Sequence, residues 1–300
     1  MKRLPFDQPG RFWRGNLHTH TTISDGLQPP DQVIAAYRGR GYDFLAITDH
    51  LTSGSPQTNG FVGTGRSDGL LVIGGAELHP DAIRAGGPWH IVAVGLSPMF
   101  PVRPEETAAS LVTRAVADGA FVTLAHPAWY GLTDDEAATI RDVHAIEAWN
   151  ATADYLNDRA SSWRTIDVLA DAGSRVLATA SDDAHGESER RDMFRAWIWV
   201  RAMTLDPIAI IDALTKGHFY MSTGPRIHSL AVDPGSHMSI ECDPVDAVFA
   251  TGRGWQAAAL HGEQITRATL SLEGLDSPFF RVMIRSNDGG RAWTQTIWFE

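Results

Sequence analysis

The sequence predicts an α/β protein: a parallel sheet closed into a β/α (TIM-like) barrel over residues 1–225, then a small all-β, sandwich-like domain over 226–300. Three observations lead there. Short apolar runs alternate with helix-period segments from Phe12 to about Pro225. Imidazoles and carboxylates stand at the ends of those runs, and donors from different strands meet only if the strands share one rim. After Pro225 no helix-period segment interrupts a series of short β-like runs.

The expected strands are Phe12–His20, Asp43–His50, Leu70–Glu77, His90–Leu96, Ala120–His126, Ala145–Asn150, Arg175–Ser181 and Met193–Arg201. Runs such as Phe44-Leu45-Ala46-Ile47 and Val176-Leu177-Ala178 are apolar throughout, as in strands covered on both faces. Pro30-Asp31 opens a helix that Gly41 closes, Pro104–Asp118 repeats the pattern before Gly119, Asp154–Asp171 reads as one longer helix, and Asp206-Pro207 starts another that ends at Lys216-Gly217. The Gly-, Ser- and Thr-rich stretch Thr52–Gly69 follows His50 directly, so it is expected to hang over the rim as a loop or lid. In the tail, Ile227–Val232, His237–Glu241, Ala247–Thr251, Gln256–His261, Arg267–Leu272, Phe279–Ile284 and Ala292–Phe299 read as strands, with Asn287-Asp288-Gly289-Gly290 as a hairpin turn.

Composition narrows the function. A hydrophobic share of 43% and a charged share of 20% are those of a soluble globular protein. A net charge of -11 disfavours a nucleic-acid partner, although bound divalent cations would still let a site attract anions. The one cysteine, Cys242, makes neither an internal disulfide nor a cysteine-rich zinc site. The first twenty residues lack an apolar h-region, and no run approaches the ~20 apolar residues of a membrane span. A cytoplasmic location with no membrane partner is expected, and the oligomeric state is left open.

The candidate chemistry lies at the strand ends. A lone His-x-His is weak, but two residues apart on a strand means one face, so His18 and His20 can share an ion; Asp183 and His185 repeat the spacing. Asp49-His50, Glu77, His90 and His126 occupy similar places. Glu77 ends the run Leu71-Val72-Ile73, where an acid without a partner would be costly. Asp25 adds a hard anionic oxygen. Asp49 and Asp182 are expected to orient imidazoles, His79 to support Glu77, and Asn150 to reach substrate.

The order His18-x-His20, Asp25, Thr48-Asp49-His50, Glu77, His90, His126-Pro127, Asp183-x-His185 resembles the PHP (polymerase and histidinol phosphatase) superfamily. The resemblance covers roughly residues 12–225 and implies a distorted seven-stranded β/α barrel with two or three metals at its mouth. It implies one metal on His18, His20, Glu77 and Asp183, a second bridged by Glu77 and held by His90 and His126, and a third on Asp25, His50 and His185. Some members carry histidine where this chain has Asp25. The tail segments Ile211-Asp212-Ala213-Leu214, Gly217-His218-Phe219-Tyr220, Ser222-Thr223-Gly224-Pro225, Arg291-Ala292-Trp293-Thr294 and Ile297-Trp298 resemble the branch that includes carbamate-cleaving hydrolases.

Imidazole-rich ligation selects Zn, Mn or Fe over Mg or Ca. The expected activity is hydrolysis of a small phosphorylated metabolite by a metal-activated water, with Asp25, His50, Glu77, Asp183 and His185 taking part in catalysis. Arg66, Arg190, Arg191 and Arg226 are candidates to grip phosphate. Two alternatives stand beside it: an amide, carbamate or carboxylic ester hydrolase using the same metals, and a non-catalytic metal-binding module.

Overall fold

The computed structural model describes residues 4–52, 62–104, 106–186 and 191–299. It is a mixed α/β fold built on one large sheet. Read by hydrogen-bonded neighbours, Leu177–Ser181 lies beside Ala145–Asn150, then Phe121–Leu124, Ile91–Val94, Leu70–Leu78, Phe44–Ile47, Arg11–Asn16, Trp197–Ala202, Phe219–Ser222 and Arg291–Trp293. Phe44–Ile47, Ile91–Val94 and Phe121–Leu124 are buried at every position, which accounts for their unbroken apolar sequence.

Two expectations about this sheet are corrected. It is not all parallel: Ile91–Val94 runs antiparallel to both neighbours, and Trp197–Ala202 runs antiparallel to Arg11–Asn16. A parallel return needs a long crossover, usually a helix. The chain from Leu78 to Ile91 instead turns back through an Ala82↔Pro88 bridge with no helix between. Nor does the sheet close into the expected seven-stranded barrel. Among the described residues, an isolated parallel bridge, Thr19↔Ala184, is the only pairing beyond Leu177–Ser181. The amide side chain of Gln295 takes the place of a neighbouring strand at Ala178, accepting from its N–H at 2.8 Å and donating to its carbonyl at 2.9 Å.

Helix starts follow local capping chemistry. Thr107 caps Ala108–Ala117, Asn150 caps Ala151–Asn157, and Asp206 caps Pro207–Thr215, each side chain accepting a backbone N–H. The single helix expected over Asp154–Asp171 is two, Ala151–Asn157 and Trp163–Asp171, because Asp158 turns left-handed at φ 58° and stops the first. Of the loop expected over Thr52–Gly69, residues 53–61 lie outside the described residues. Gly65–Ser67 pairs with the start of Leu70–Leu78.

Among the described residues no helix follows Thr215. Two fifteen-residue strands, His237–Thr251 and Ala257–Ser271, stand where four short ones were expected. The break within the first is a pair of bulges between Glu241, Val245 and Ala247 rather than a turn. Pro244, which has no N–H to donate, lies there. Ile227, Ile240, Val248, Phe280 and Ile284 form the centre of a second apolar core, to which Tyr220 and Leu4 also belong.

The strands around the rim pack closely. A Cβ on Gly75 would stand 2.4 Å from the Ala93 carbonyl oxygen across the Leu70–Leu78/Ile91–Val94 ladder, where backbone has no room to yield. Gly75→Ala is therefore expected to lower folding stability by about 1–3 kcal/mol, measured by urea unfolding; an unchanged midpoint would refute this packing.

Candidate metal centre

The rim gathers its donors from six places in the sheet. His18 and His20 follow Arg11–Asn16, His50 begins a two-residue strand paired with Glu77, and His126 follows Phe121–Leu124. Asp183 and His185 follow Leu177–Ser181. His90 stands before its strand rather than after it. Because that strand is antiparallel, its start lies at the same rim as its neighbours' ends.

Glu77 is the centre, with 1% of its surface exposed. Its Oε2 lies 3.5 Å from Nε2 of both His18 and His20, and its Oε1 lies 2.8 Å from His90 Nδ1 and 3.3 Å from His126 Nε2. Asp183 Oδ1 completes the first pair, 3.2 Å from His18 Nε2 and 3.0 Å from His20 Nε2. Asp25 Oδ2 lies 3.2 Å from His50 Nε2 and 3.5 Å from His185 Nε2, and its Oδ1 lies 3.6 Å from His20 Nδ1. Three of the groups close enough to hold a cation are His18–His20–Asp183, Glu77–His90–His126 and His20–Asp25–His50–His185. All nine sequence-derived ligand candidates thus converge.

The donor set has the composition of a cation site. His18 Nε2 is buried and has no hydrogen-bond partner, although two carboxylate oxygens lie within 3.5 Å. The nitrogens of His18 and His20 each lie beside oxygens of both Glu77 and Asp183, a clustering of donors that could hold an ion. Tautomers agree for two rings. His185 Nδ1–H donates to the Asp183 carbonyl at 2.8 Å, leaving Nε2 for the side facing Asp25. His79 Nδ1–H donates to the Trp89 carbonyl at 3.1 Å, and its Nε2 faces His50 Nδ1 at 2.6 Å. His79 Nε2 therefore accepts from His50 Nδ1–H, so His79 supports His50 rather than the expected Glu77.

Charges in the cluster are strongly coupled. Burial pushes the Glu77 carboxyl up, but His18, His126 and His50 hold it well below the usual carboxylate range. Asp183, also buried, is held low by His18, His20 and His126. Burial pushes His50 down, yet Asp25 and Glu77 raise it to about 10. His18, His126 and His185 are raised against burial by their facing carboxylates, whereas burial lowers His20, His90 and His79, the last to about 4.

Two backbone positions are unusual. His126 has φ 24° and Asp183 has φ 53°, left-handed values that a non-glycine residue adopts at a cost. Both aim donors at Glu77's neighbourhood. The Asp183 turn is held by Thr152 Oγ, which donates to its carbonyl at 2.7 Å.

Other expectations are revised by the contacts. Asp49 accepts from Thr21 N–H, Thr21 Oγ, Ser24 N–H and Ser24 Oγ, so it ties down the loop carrying Asp25 rather than an imidazole. Asp182 accepts from Tyr37 Oη and the N–H groups of Phe194, Arg195 and Ala196, fixing the returning chain. Asn150 is fully buried; it donates to Glu147 Oε2 and Asp183 Oδ2 and caps a helix, which removes it from substrate. Arg66 donates to the carbonyls of Gly69 and Leu205, and Arg226 lies over Trp199. Arg191 is exposed, and Arg190 lies outside the described residues.

One residue was missed. Glu147, 2% exposed, sits behind His18 with Oε1 3.3 Å from His18 Nδ1. Its signal was available: an acid inside Ala145-Ile146-Glu147-Ala148-Trp149 is as anomalous as Glu77 in its own run. Trp129 and Tyr130 form an aromatic wall, with Trp129 5.2 Å from the His126 ring and Tyr130 5.1 Å from the His90 ring.

Comparison with known proteins supports the fold. No family model matches the chain. A phosphoribosyl 1,2-cyclic phosphate 1,2-diphosphodiesterase of Eggerthella lenta is 33% identical over 89 residues, which are 29% of this chain and 32% of that protein. The chain thus spans about a third of the length of the curated relative it matches. Among solved structures, a two-domain protein of Bacteroides vulgatus containing a predicted PHP-like metal-dependent phosphoesterase aligns over 100% of this chain and 99% of its own, with TM-score 0.53 at 17% identity. A putative metal-dependent phosphoesterase of Bifidobacterium adolescentis aligns over 57% of this chain and 87% of its own, with TM-score 0.42 at 16% identity. The chain shares its overall fold with the two-domain Bacteroides vulgatus protein.

Two outcomes are expected. His18→Ala and Asp183→Ala should each strip bound transition metal while leaving the circular dichroism spectrum near wild type; elemental analysis showing unchanged metal in both would sink the ligand assignment. Metal uptake must displace protons from His18, His50, His126 and His185, whose pKa values are raised. Apparent affinity should therefore fall as pH drops from 8 to 6, with proton release seen by calorimetry in buffers of different ionisation enthalpy.

Proposed function

We propose that this chain is a metal-dependent phosphoesterase of the PHP superfamily, acting on a small phosphorylated molecule. The observation that carries the reading is Glu77, whose two oxygens each face a pair of imidazoles. A single buried carboxylate between two nitrogen pairs is the arrangement that holds two cations side by side. Asp25, His50 and His185 offer a third position.

Bound there, two or three Zn, Mn or Fe ions would supply Lewis acidity and bring the pKa of a water near neutrality. The chain's own residues do the rest. Glu77 and Asp183 set the spacing of the imidazoles and balance the charge of the site. Asp25, with its side chain 53% exposed, is the carboxylate of the cluster most open to solvent, where an incoming anion and a departing alcohol exchange with water. Trp129 and Tyr130 give the side near His90 and His126 an apolar wall.

A phosphate ester suits such a site because its oxygens can span several cations. The cyclic-phosphate substrate named for the Eggerthella lenta relative is in keeping with this class. We assign residues 1–225 to the metal-binding unit and 226–300 to a sandwich-like β domain. Among the described residues no helix is long and apolar enough to cross a membrane.

The resemblance of the tail segments to the branch with carbamate-cleaving hydrolases favours a second reading, cleavage of a carbamate, amide or carboxylic ester at the same centre. One panel separates the two. Metal-loaded protein is expected to release phosphate from aryl phosphates at least tenfold faster than it cleaves matched aryl carbamates and esters. No phosphate release, with carbamate or ester turnover, would transfer the assignment to the second reading.

A further inference from the structure

We propose that Glu147 is a positioning residue: it fixes His18 in the Nδ1–H tautomer and thereby presents His18 Nε2 to a cation. The inference rests on the metal-dependent reading above and adds a residue to it. Glu147 lies on Ala145–Asn150, buried behind the cluster, and faces the opposite side of the His18 ring from Glu77 and Asp183.

Four groups converge on its carboxylate. Oε1 faces His18 Nδ1 at 3.3 Å and accepts from Ser181 Oγ. Oε2 accepts from the His126 backbone N–H at 2.9 Å and from Asn150 Nδ2 at 2.8 Å. The two partners of Oε2 are obligate donors. A backbone N–H cannot reverse, and the Asn150 amide is locked because its Oδ1 accepts from Ala153 N–H at 2.7 Å. Oε2 is thus an acceptor twice over, and Glu147 as a carboxylate accepts at Oε1 as well. His18 Nδ1 must then keep its proton, and Nε2, buried without a hydrogen-bond partner, is the nitrogen turned toward Glu77 and Asp183 and the one whose lone pair a cation would take. This is the carboxylate–histidine arrangement by which a metal ligand is oriented and made more basic.

The same geometry says what an isosteric amide would do. Glu147→Gln has one oxygen and one NH2. The NH2 cannot face the His126 N–H and Asn150, where it would meet two fixed donors, so it must face His18 and Ser181. A serine hydroxyl can turn to accept, and His18 can accept only by moving its proton to Nε2. That proton occupies the position a cation needs. The His126 contact survives on the amide oxygen, so the Glu77–His90–His126 group is spared.

The test is Zn affinity, site by site, by competition with a chromophoric chelator, alongside the thermal midpoint of the metal-free protein. In Glu147→Gln one class of site is expected to weaken about 10–100-fold while the others stay within about threefold of wild type. Ser181→Ala, which keeps the carboxylate, should bind Zn as wild type does. In the Zn-loaded wild type, ¹⁵N NMR should show His18 protonated at Nδ1. Equal affinity in Glu147→Gln and wild type, or His18 protonated at Nε2 in the loaded wild type, would overturn the role of Glu147. Uniform weakening of every site in step with a lowered thermal midpoint would show a merely structural residue and overturn it too. A wild type that takes up no Zn would overturn the metal reading itself, and this role with it.

Discussion

One buried carboxylate organises this protein. Glu77 has almost no contact with solvent, and a charge in such a place persists only when it is compensated. Here the compensation comes from imidazoles at separate strands: His18 and His20 beyond one, His50 beside another, His90 before a third and His126 beyond a fourth. The strand order of the sheet has its chemical meaning in that convergence. Six places in the sheet bring donors to the rim around Glu77.

The unusual features of the fold sit where this convergence needs them. Reversal of Ile91–Val94 brings His90, which precedes the strand, to the rim that its neighbours reach with their ends. Left-handed turns at His126 and Asp183 aim ring and carboxylate inward at points where ordinary extended backbone would carry them past. The acids next to ligands brace the chain. Asp49 holds the loop of Asp25, and Asp182 holds the segment that returns to Trp197–Ala202. A rigid frame of this kind is what a site needs to keep several like-charged cations at fixed spacing.

The unclosed sheet is part of the same economy. Where a further strand would lie beside Leu177–Ser181, the side chain of Gln295 satisfies the backbone of Ala178. The β-rich tail thus touches the edge of the sheet that carries Asp183 and His185. Phe219–Ser222, paired with Arg291–Trp293, continues the hydrogen-bonded ladder from the α/β part into that tail.

The sequence by itself determined the α/β character of the first 225 residues, the β character of the rest, and the nine candidate ligands. Period-two spacing made His18/His20 and Asp183/His185 legible, and an acid in an apolar run made Glu77 legible, because these signals are local. Strand direction, closure and the partners of each donor were not local and could not be read. Whether Ile91–Val94 runs with or against its neighbours depends on how a glycine-rich connection turns in space. The division of Asp154–Asp171 into two helices depends on one residue, Asp158, adopting a left-handed backbone. Which carboxylate faces which nitrogen, and that Asn150 serves Glu147 and Asp183 instead of a substrate, is decided by contacts between residues more than thirty positions apart as well as near neighbours. Only the folded chain brings those groups within hydrogen-bonding reach.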